Sequence, residues 1–340
     1  MSELSTLSTL IPSIPARGER AIDLLVVGDT GIDLMVDVAD LPGRDAKSIG
    51  QSLGIHPGGM GANFAVAAGL AESALRVSLF SRVGDDPFGV GCIRALASAG
   101  IATDHVEVMP DELTWWCAVA VAADGEKSLL GGRTPASLPD ASRVGRDVLS
   151  ATRWLHVLAD VPGSDDLIRR ARSAGARTSV DVEGSYVVED PERARELIAL
   201  ADLAIINTGA AQNLTGTADD ETALAALLDG TAHRAVVLTR GAGGSLFGAT
   251  DGDGAISVWS QASVMVPRVV DTTGAGDAFA GTVVASLLAD RGVDQALAAA
   301  AAHAAQTIRH LGSRSGGVPG WPHTVTHRTP ASQQTGDIHD

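Results

Sequence analysis

Val269-Val-Asp-Thr-Thr-Gly-Ala-Gly-Asp-Ala-Phe-Ala-Gly-Thr-Val-Val-Ala-Ser-Leu-Leu288 is the stretch from which the rest of the chain is read. A strand-like run enters a Gly-containing turn, and an apolar helix leaves it, starting at Ala275–Asp277. The first N–H groups of a helix have no intrahelical partners, and the macrodipole is positive there. Gly274 and Gly276 let that backbone approach a phosphate without interference from a Cβ. The turn is therefore an anion site by construction. Asp277 is the unusual residue in it. A carboxylate at a helix start is often a simple cap, but beside an anion hole it can also take the proton of an attacking hydroxyl. The helix dipole is expected to keep it ionised.

Outward from this loop, short apolar runs recur: Ala21–Val27 ending at Gly28, Arg76–Phe80, Trp154–Leu158, Thr178–Val182, Leu203–Ile206 and Ala235–Leu238. Ala-rich stretches of helical length lie between them: Ala62–Leu70, Gly89–Ala99, Ser164–Ala174, Pro191–Leu200 and Glu221–Leu228. Strands covered on both faces and alternating with helices predict a doubly wound, mostly parallel sheet in an α/β fold. Leu34–Ile55 and His105–Leu130 break the rhythm with alternating segments. Trp115–Ala122 followed by Ala-Asp-Gly-Glu-Lys127 reads as a hairpin, so these stretches predict a small β lid inserted into the core. No internal repeat is visible.

The 340 residues carry 25 Lys+Arg against 41 Asp+Glu, a formal net charge of −16. That balance offers no footprint for nucleic acid or an anionic membrane surface. Hydrophobic residues at 45% and charged residues at 19% allow a sizeable core. No segment approaches the roughly 20 apolar residues of a membrane span. The N-terminus lacks the basic start and apolar centre of a signal peptide. Cys92 and Cys117 sit in apolar stretches and read as reduced core thiols of a cytoplasmic protein. Residues 1–20 and 321–340 read as loose tails around one domain at 21–320.

Asp271-Thr-Thr-Gly-Ala-Gly-Asp277 with the following Ala-Phe resembles the C-terminal signature of the PfkB/ribokinase family of carbohydrate and nucleoside kinases. The resemblance implies a ribokinase-like three-layer α/β/α fold. It implies that Asp277 is the catalytic base and that the N–H groups of Gly274, Ala275 and Gly276 stabilise the transferred phosphoryl group. Asp271 and Thr273 match positions that help bind a monovalent cation such as K⁺; they read equally as polar residues that stabilise the turn. ATP and Mg²⁺ are the implied cofactors, and a homodimer paired through the lids is the implied assembly.

His56-Pro-Gly-Gly-Met-Gly-Ala-Asn-Phe-Ala-Val-Ala-Ala68 is similar to the family's other hallmark. Here Gly58 and Gly59 imply close approach to a polyhydroxyl acceptor, and Asn63 offers it a donor and an acceptor; Asn63 also reads as a helix cap. The motif lacks the third Gly of a dinucleotide fingerprint and no strand leads directly into it, which argues against a dehydrogenase. The spacing of Asp33 resembles the family's substrate Asp, whereas Asp29 reads as a plain loop acid. Asp160 is a further substrate candidate at a sheet end.

On the nucleotide side, Asn207, Thr239 and Gly241 match phosphate and ribose contacts, and Arg240 reads as solvent-facing. The C-terminal helix Ala296–His310 matches the segment that closes the adenine pocket, with His303 and Thr307 read as packing positions. The chain departs from the family at Ala210, where a Glu that organises Mg²⁺ is expected. Met60, Phe64 and Gly31 also depart on the acceptor side, so ribose specificity does not transfer. The expected activity is ATP-dependent phosphorylation of a sugar-like hydroxyl. A nucleoside acceptor, or a sensor with little turnover because of Ala210, are the alternatives; Trp115 and Trp116 could stack on a base but read first as packing in the lid core or a dimer.

Overall fold

A computed structural model of the chain describes residues 14–16, 18–122, 127–231 and 233–314. The chain enters as β1 (Ile22–Val27) and crosses into a lid as β2 (Gly31–Val38) and β3 (Gln51–Gly58). Helix α1 (Met60–Ala71), β4 (Val77–Gly84), α2 (Pro87–Ser98) and β5 (Val106–Met109) follow, before the lid strands β6 (Trp116–Ala122) and β7 (Lys127–Gly132). Alternating units then run through α3 (Arg146–Ser150), β8 (Thr152–Leu158), α4 (Ser164–Ser173), β9 (Arg177–Val182), α5 (Gly184–Glu189) and α6 (Pro191–Leu200). They continue through β10 (Leu203–Asn207), α7 (Thr208–Thr215), α8 (Asp220–Leu228) and β11 (Ala235–Thr239). The pair β12 (Ser245–Thr250) and β13 (Ile256–Gln261) precedes α9 (Ala275–Leu288) and α10 (Val293–Thr307).

Among the described residues the main sheet has the order β13-β12-β11-β10-β9-β8-β1-β4-β5. Its pairs are parallel from β11 to β5, and the β12–β13 edge is antiparallel. Successive residues of a strand face opposite sides, so a strand covered on both sides must be apolar throughout. Leu24 and Val26 of β1 accordingly pack with α1, α9 and α10 on one face. Leu25 and Val27 pack with α4, α6, α7 and α8 on the other. The result is three layers, α/β/α, with the core divided by the sheet.

The lid is a separate sheet of order β3-β2-β6-β7, packed around Met35, Leu53, Cys117, Val119 and Val121. The expected hairpin is present, with Val121 paired to Lys127; its turn lies outside the described residues. The second lid segment starts later than expected. Val106–Met109 pairs with β4 as the edge of the main sheet, because the chain leaving α2 runs alongside β4 before it reaches the lid. The strand expected at Val269-Val270 is also absent. This segment is held from the side instead, by Val270 N–H and Asp271 N–H donating to Ile308 O at 2.7 and 3.3 Å. The last part of the expected N-terminal tail is tied down as well: Ile14 packs on the core and Arg20 donates to Ala174 O at 2.8 Å.

Helix boundaries follow the caps. Asp190 accepts from Arg193 N–H at 3.0 Å, with Pro191 at the first helical position, so α6 begins where the sequence places it. The C-terminal helix has no side-chain cap and starts at Val293, ahead of the expected Ala296.

One buried charge group clamps the open ends of three strands. Asp23 of β1 accepts from Arg76 Nε at 2.9 Å and from Arg153 Nη1 at 3.0 Å. Burial pushes its carboxyl up, but the hydrogen bonds from Arg76 and Arg153 prevail and hold it at about 2. Arg153 is 1% exposed. Asp23→Ala should therefore leave a buried guanidinium unpaired and cost about 3–5 kcal/mol in urea unfolding. A loss below about 1 kcal/mol, within the range of ordinary surface substitutions, would refute the clamp.

Candidate active site

The two Gly-rich motifs open α1 and α9, and both helices point their N-termini at the carboxyl edge of the sheet. Backbone geometry dictates the glycines. Gly274 has φ 76°, and a Cβ there would lie 2.3 Å from Ser313 O. Gly59 has φ 91°, and its Cβ would lie 2.6 Å from Thr30 Cα. A side chain at Gly276 would meet nothing within 4 Å, so that face of the helix start opens onto free space. Ala275 N–H already makes a long turn bond to Thr272 O at 3.3 Å.

Asn63 joins the motifs. Its Nδ2 donates to Asp277 Oδ2 at 2.8 Å, and its Oδ1 accepts from Ser313 Oγ at 2.9 Å and Arg314 Nε at 3.0 Å. Its side chain is thus used to hold Asp277, rather than to cap α1. That cap falls to Asp29: its Oδ1 accepts from Gly61 N–H and its carbonyl from Ala62 N–H, each at 3.0 Å. The loop acid is therefore a helix clamp. Asp33, on β2, lies under Gly58, where a Cβ would sit 2.7 Å from its Oδ2. Gly58 is a glycine because this carboxyl occupies the space.

Burial raises the carboxyls of this edge. It pushes Asp29 to about 7, assisted by Asp160 and Asp33, and Asp33 to about 6, opposed by Arg314. Asp181, at the end of β9, rises to about 7 through burial, with Glu183 and Asp160 adding to it. Asp277 is raised well above the usual carboxylate range by burial; Asn63 opposes this, and Asp181, Glu183 and Asp29 reinforce it. The expectation that the helix dipole keeps Asp277 readily ionised is overturned, since desolvation beside other acids outweighs a partial charge at a helix end. Asp181 and Glu183 were not singled out in the sequence. Their signal was the same as for Asp160, an acid at the carboxyl end of a parallel strand. Asp160 itself stands 3.8 Å from Arg133.

Asp271 and Thr273 do come together, but a lysine from the lid occupies them. Lys127 Nζ pairs with Asp271 Oδ1 and lies 3.0 Å from Thr273 Oγ1 and 3.2 Å from Thr272 Oγ1. Burial pushes the Asp271 carboxyl up; hydrogen bonds from Lys127 and Thr273 prevail and hold it below the usual range.

On the other side of α9 lies a cleft of about 600 Å³ whose lining includes Asn207, Thr239, Gly241, Gly276, Phe279 and Ile308. The three residues expected on the nucleotide side thus meet Ala275 and Gly276 at the start of α9 in one cavity. Val264, Met265 and Val266 also line it, although nothing in their pattern marked them. Thr282 Oγ1 and His303 Nδ1 are 2.7 Å apart, and Thr307 Oγ1 donates to His303 O, so both positions of the C-terminal helix pack as expected. Arg240 is half-buried with its Nε shielded, contrary to the solvent-facing expectation. Ala210 lies in the apolar core beside Ala211 and Leu214. Trp115 fills the space over Gly31 and Gly131, and Trp116 that over Gly132, so both indoles are lid packing.

Comparison with known proteins places this geometry. A family profile described as pfkB family carbohydrate kinase matches residues 21–320. Ribokinase of Haemophilus influenzae is 27% identical over 300 residues, covering 86% of this chain and 94% of that protein. Cytidine kinase of Thermococcus kodakarensis is 26% identical over 302 residues, covering 86% and 99%. The structure of Arabidopsis thaliana ribokinase complexed with ribose and ATP superposes with a TM-score of 0.68 at 24% identity, covering 86% of this chain and 94% of that one, a likeness of fold.

The raised carboxyls predict a pH signature. A group whose folded pKa exceeds its unfolded value contributes stability below the unfolded pKa and loses it as pH rises through the folded one. Asp181, at about 7, should therefore weaken the ligand-free fold between about pH 4 and pH 7. Asp181→Asn should raise the melting temperature at pH 8, by on the order of 2 kcal/mol of stability, and change it little at pH 4. A variant no more stable than the parent at pH 8 would contradict the assignment.

Proposed function

The chain belongs to the pfkB family of carbohydrate kinases, and from that premise we propose that Asp277 is the base that activates the acceptor hydroxyl of an ATP-dependent sugar or nucleoside kinase. The observation that carries the assignment is the Asn63–Asp277 hydrogen bond. It fixes the carboxyl between the acceptor elements, Asp33, Gly58 and Gly59, and the N-terminus of α9. In this reading ATP lies in the cleft at Asn207, Thr239 and Gly241, with its γ-phosphoryl group against Gly274, Ala275 and Gly276. The acceptor oxygen loses its proton to Asp277 and bonds to the γ-phosphorus. The bond from that phosphorus to the β–γ bridging oxygen breaks, and ADP leaves with the electron pair. The backbone at the helix start stabilises charge on the transferring group. A base raised toward the working pH transfers protons efficiently.

Mg²⁺ enters with ATP. Among the described residues no group of three or more His, Cys, Asp or Glu side chains is arranged to hold a metal ion. Mg²⁺ usually keeps several waters and is bound through substrate phosphates with one or two carboxylates nearby. Asp181 and Glu183 are those carboxylates, in place of the side chain missing at Ala210. When bound, the ion neutralises phosphate charge.

Several finer readings complete the proposal. The buried free thiols Cys92 and Cys117 support a cytoplasmic setting. Leu129 and Leu130, exposed on the lid strand β7, support pairing of two lids in a homodimer. The Lys127 ammonium takes the oxygens expected to serve a monovalent cation, which supports turnover without K⁺.

Asp277→Asn should lower kcat by on the order of 10²–10⁴-fold in an ADP-release assay, with ATP affinity nearly intact. Turnover at the parental rate would remove Asp277 as the base. Wild-type turnover should be the same in K⁺ and in tetramethylammonium buffers, and Lys127→Met should make it K⁺-responsive. Strong K⁺ activation of the wild type would show that Lys127 does not stand in for the ion.

A further inference from the structure

Arg314 is 8% exposed and sits on the acceptor side of the base. Its Nε donates to Asn63 Oδ1 and its Nη2 to Gly58 O, each at 3.0 Å. Its Nη1 is buried without a hydrogen-bond partner among the described residues. No carboxylate among the described residues lies within ion-pairing distance of it, although Asp33, Asp277 and Asp29 share its surroundings. The contrast with Arg153 is direct: that guanidinium, equally buried, has Asp23 at 3.0 Å. A buried guanidinium with an unused N–H edge costs several kcal/mol unless an anion completes it. The planar fork matches a carboxylate or phosphate.

We propose that Arg314 is the anion subsite of the acceptor pocket, and that the acceptor is a sugar or nucleoside derivative bearing a carboxylate or phosphate group. The proposal rests on the kinase reading and narrows its substrate class. Two of the three guanidinium nitrogens are fixed by the elements that hold the base and the acceptor loop. The third is therefore held in a set position relative to Asp277. An acceptor anchored there by its anion presents its hydroxyl at a fixed distance from the base, which is a positional role. Asn63 ties the subsite to Asp277 through one side chain.

The test uses the full chain and matched acceptor pairs: ribose against ribose 1-phosphate, fructose against fructose 6-phosphate, glucose against gluconate. Affinity is measured by calorimetry without ATP, and ADP release with Mg-ATP. The anionic member of at least one pair should bind roughly 10- to 100-fold tighter, and Arg314→Gln should erase that preference through KM more than kcat. Arg314→Lys, which keeps the charge but not the fork, should retain part of it and serves if the Gln variant does not fold. Neutral members bound as well as anionic ones, or a preference unchanged in Arg314→Gln, would overturn the subsite. ADP release from neutral sugars alone would leave the kinase standing and remove the anion. Arg314-dependent binding of anions with no ADP release from any acceptor would keep the subsite and defeat the kinase reading.

Discussion

The site depends on how closely α1 can approach α9. The two helices pack over the same face of the sheet, and Gly281 makes the contact possible: a Cβ there would lie 2.5 Å from Phe64 O and 3.1 Å from Ala67 Cβ. With no side chain in the way, the helix starts converge until Asn63 Nδ2 reaches Asp277 Oδ2 at 2.8 Å. Phe64, the next residue, stacks on His156 with ring centroids 3.6 Å apart. That stack anchors α1 to the middle of the sheet, so the hydrogen bond joins two rigid bodies. Positioning of this kind lets a phosphoryl-transfer site work with little covalent chemistry of its own.

Charge is the second constraint. A chain of net charge −16 has to receive a polyphosphate, yet its pocket edge gathers Asp29, Asp33, Asp160, Asp181, Glu183 and Asp277. The conflict is eased because burial favours the neutral form of most of these groups. The positive potential is local: the N-terminal dipoles of α1 and α9, Lys127 from the lid and Arg314 beside Asn63. Lys127 joins the lid to the loop that leads into the anion hole. That contact ties the position of the lid strand β7 to the conformation of the turn that precedes α9.

Much of this architecture was legible in the sequence because it is local. Apolar runs of strand length mark β1 and β8 to β11, and Asp190-Pro191 marks the start of α6. Gly274 and Gly59 mark turns that no other residue enters without strain. What was not legible depends on distant partners. Val106–Met109 is short, and its alternating Val-Glu-Val passes for lid; only its pairing with β4 makes it part of the main sheet. Ser245–Thr250 contains Gly248, whose side-chain position is filled by Leu224 and Leu228 of α8, so the strand lacks the usual pattern.

The same division holds within the site. Asp277 and the glycines follow from chemistry written within seven residues. Asn63 could be assigned to the acceptor or to a cap, but not to Asp277, 214 positions away. Lys127 and Arg314 carried no signal: one lies in a hairpin, the other past the last helix. In the function proposed above, Asp181 and Glu183 at the end of β9, the strand beside β10, take the place of the carboxylate absent at Ala210. Phosphate-borne metal requires charge near its water shell rather than one particular ligand, which is why that proposal accommodates Ala210.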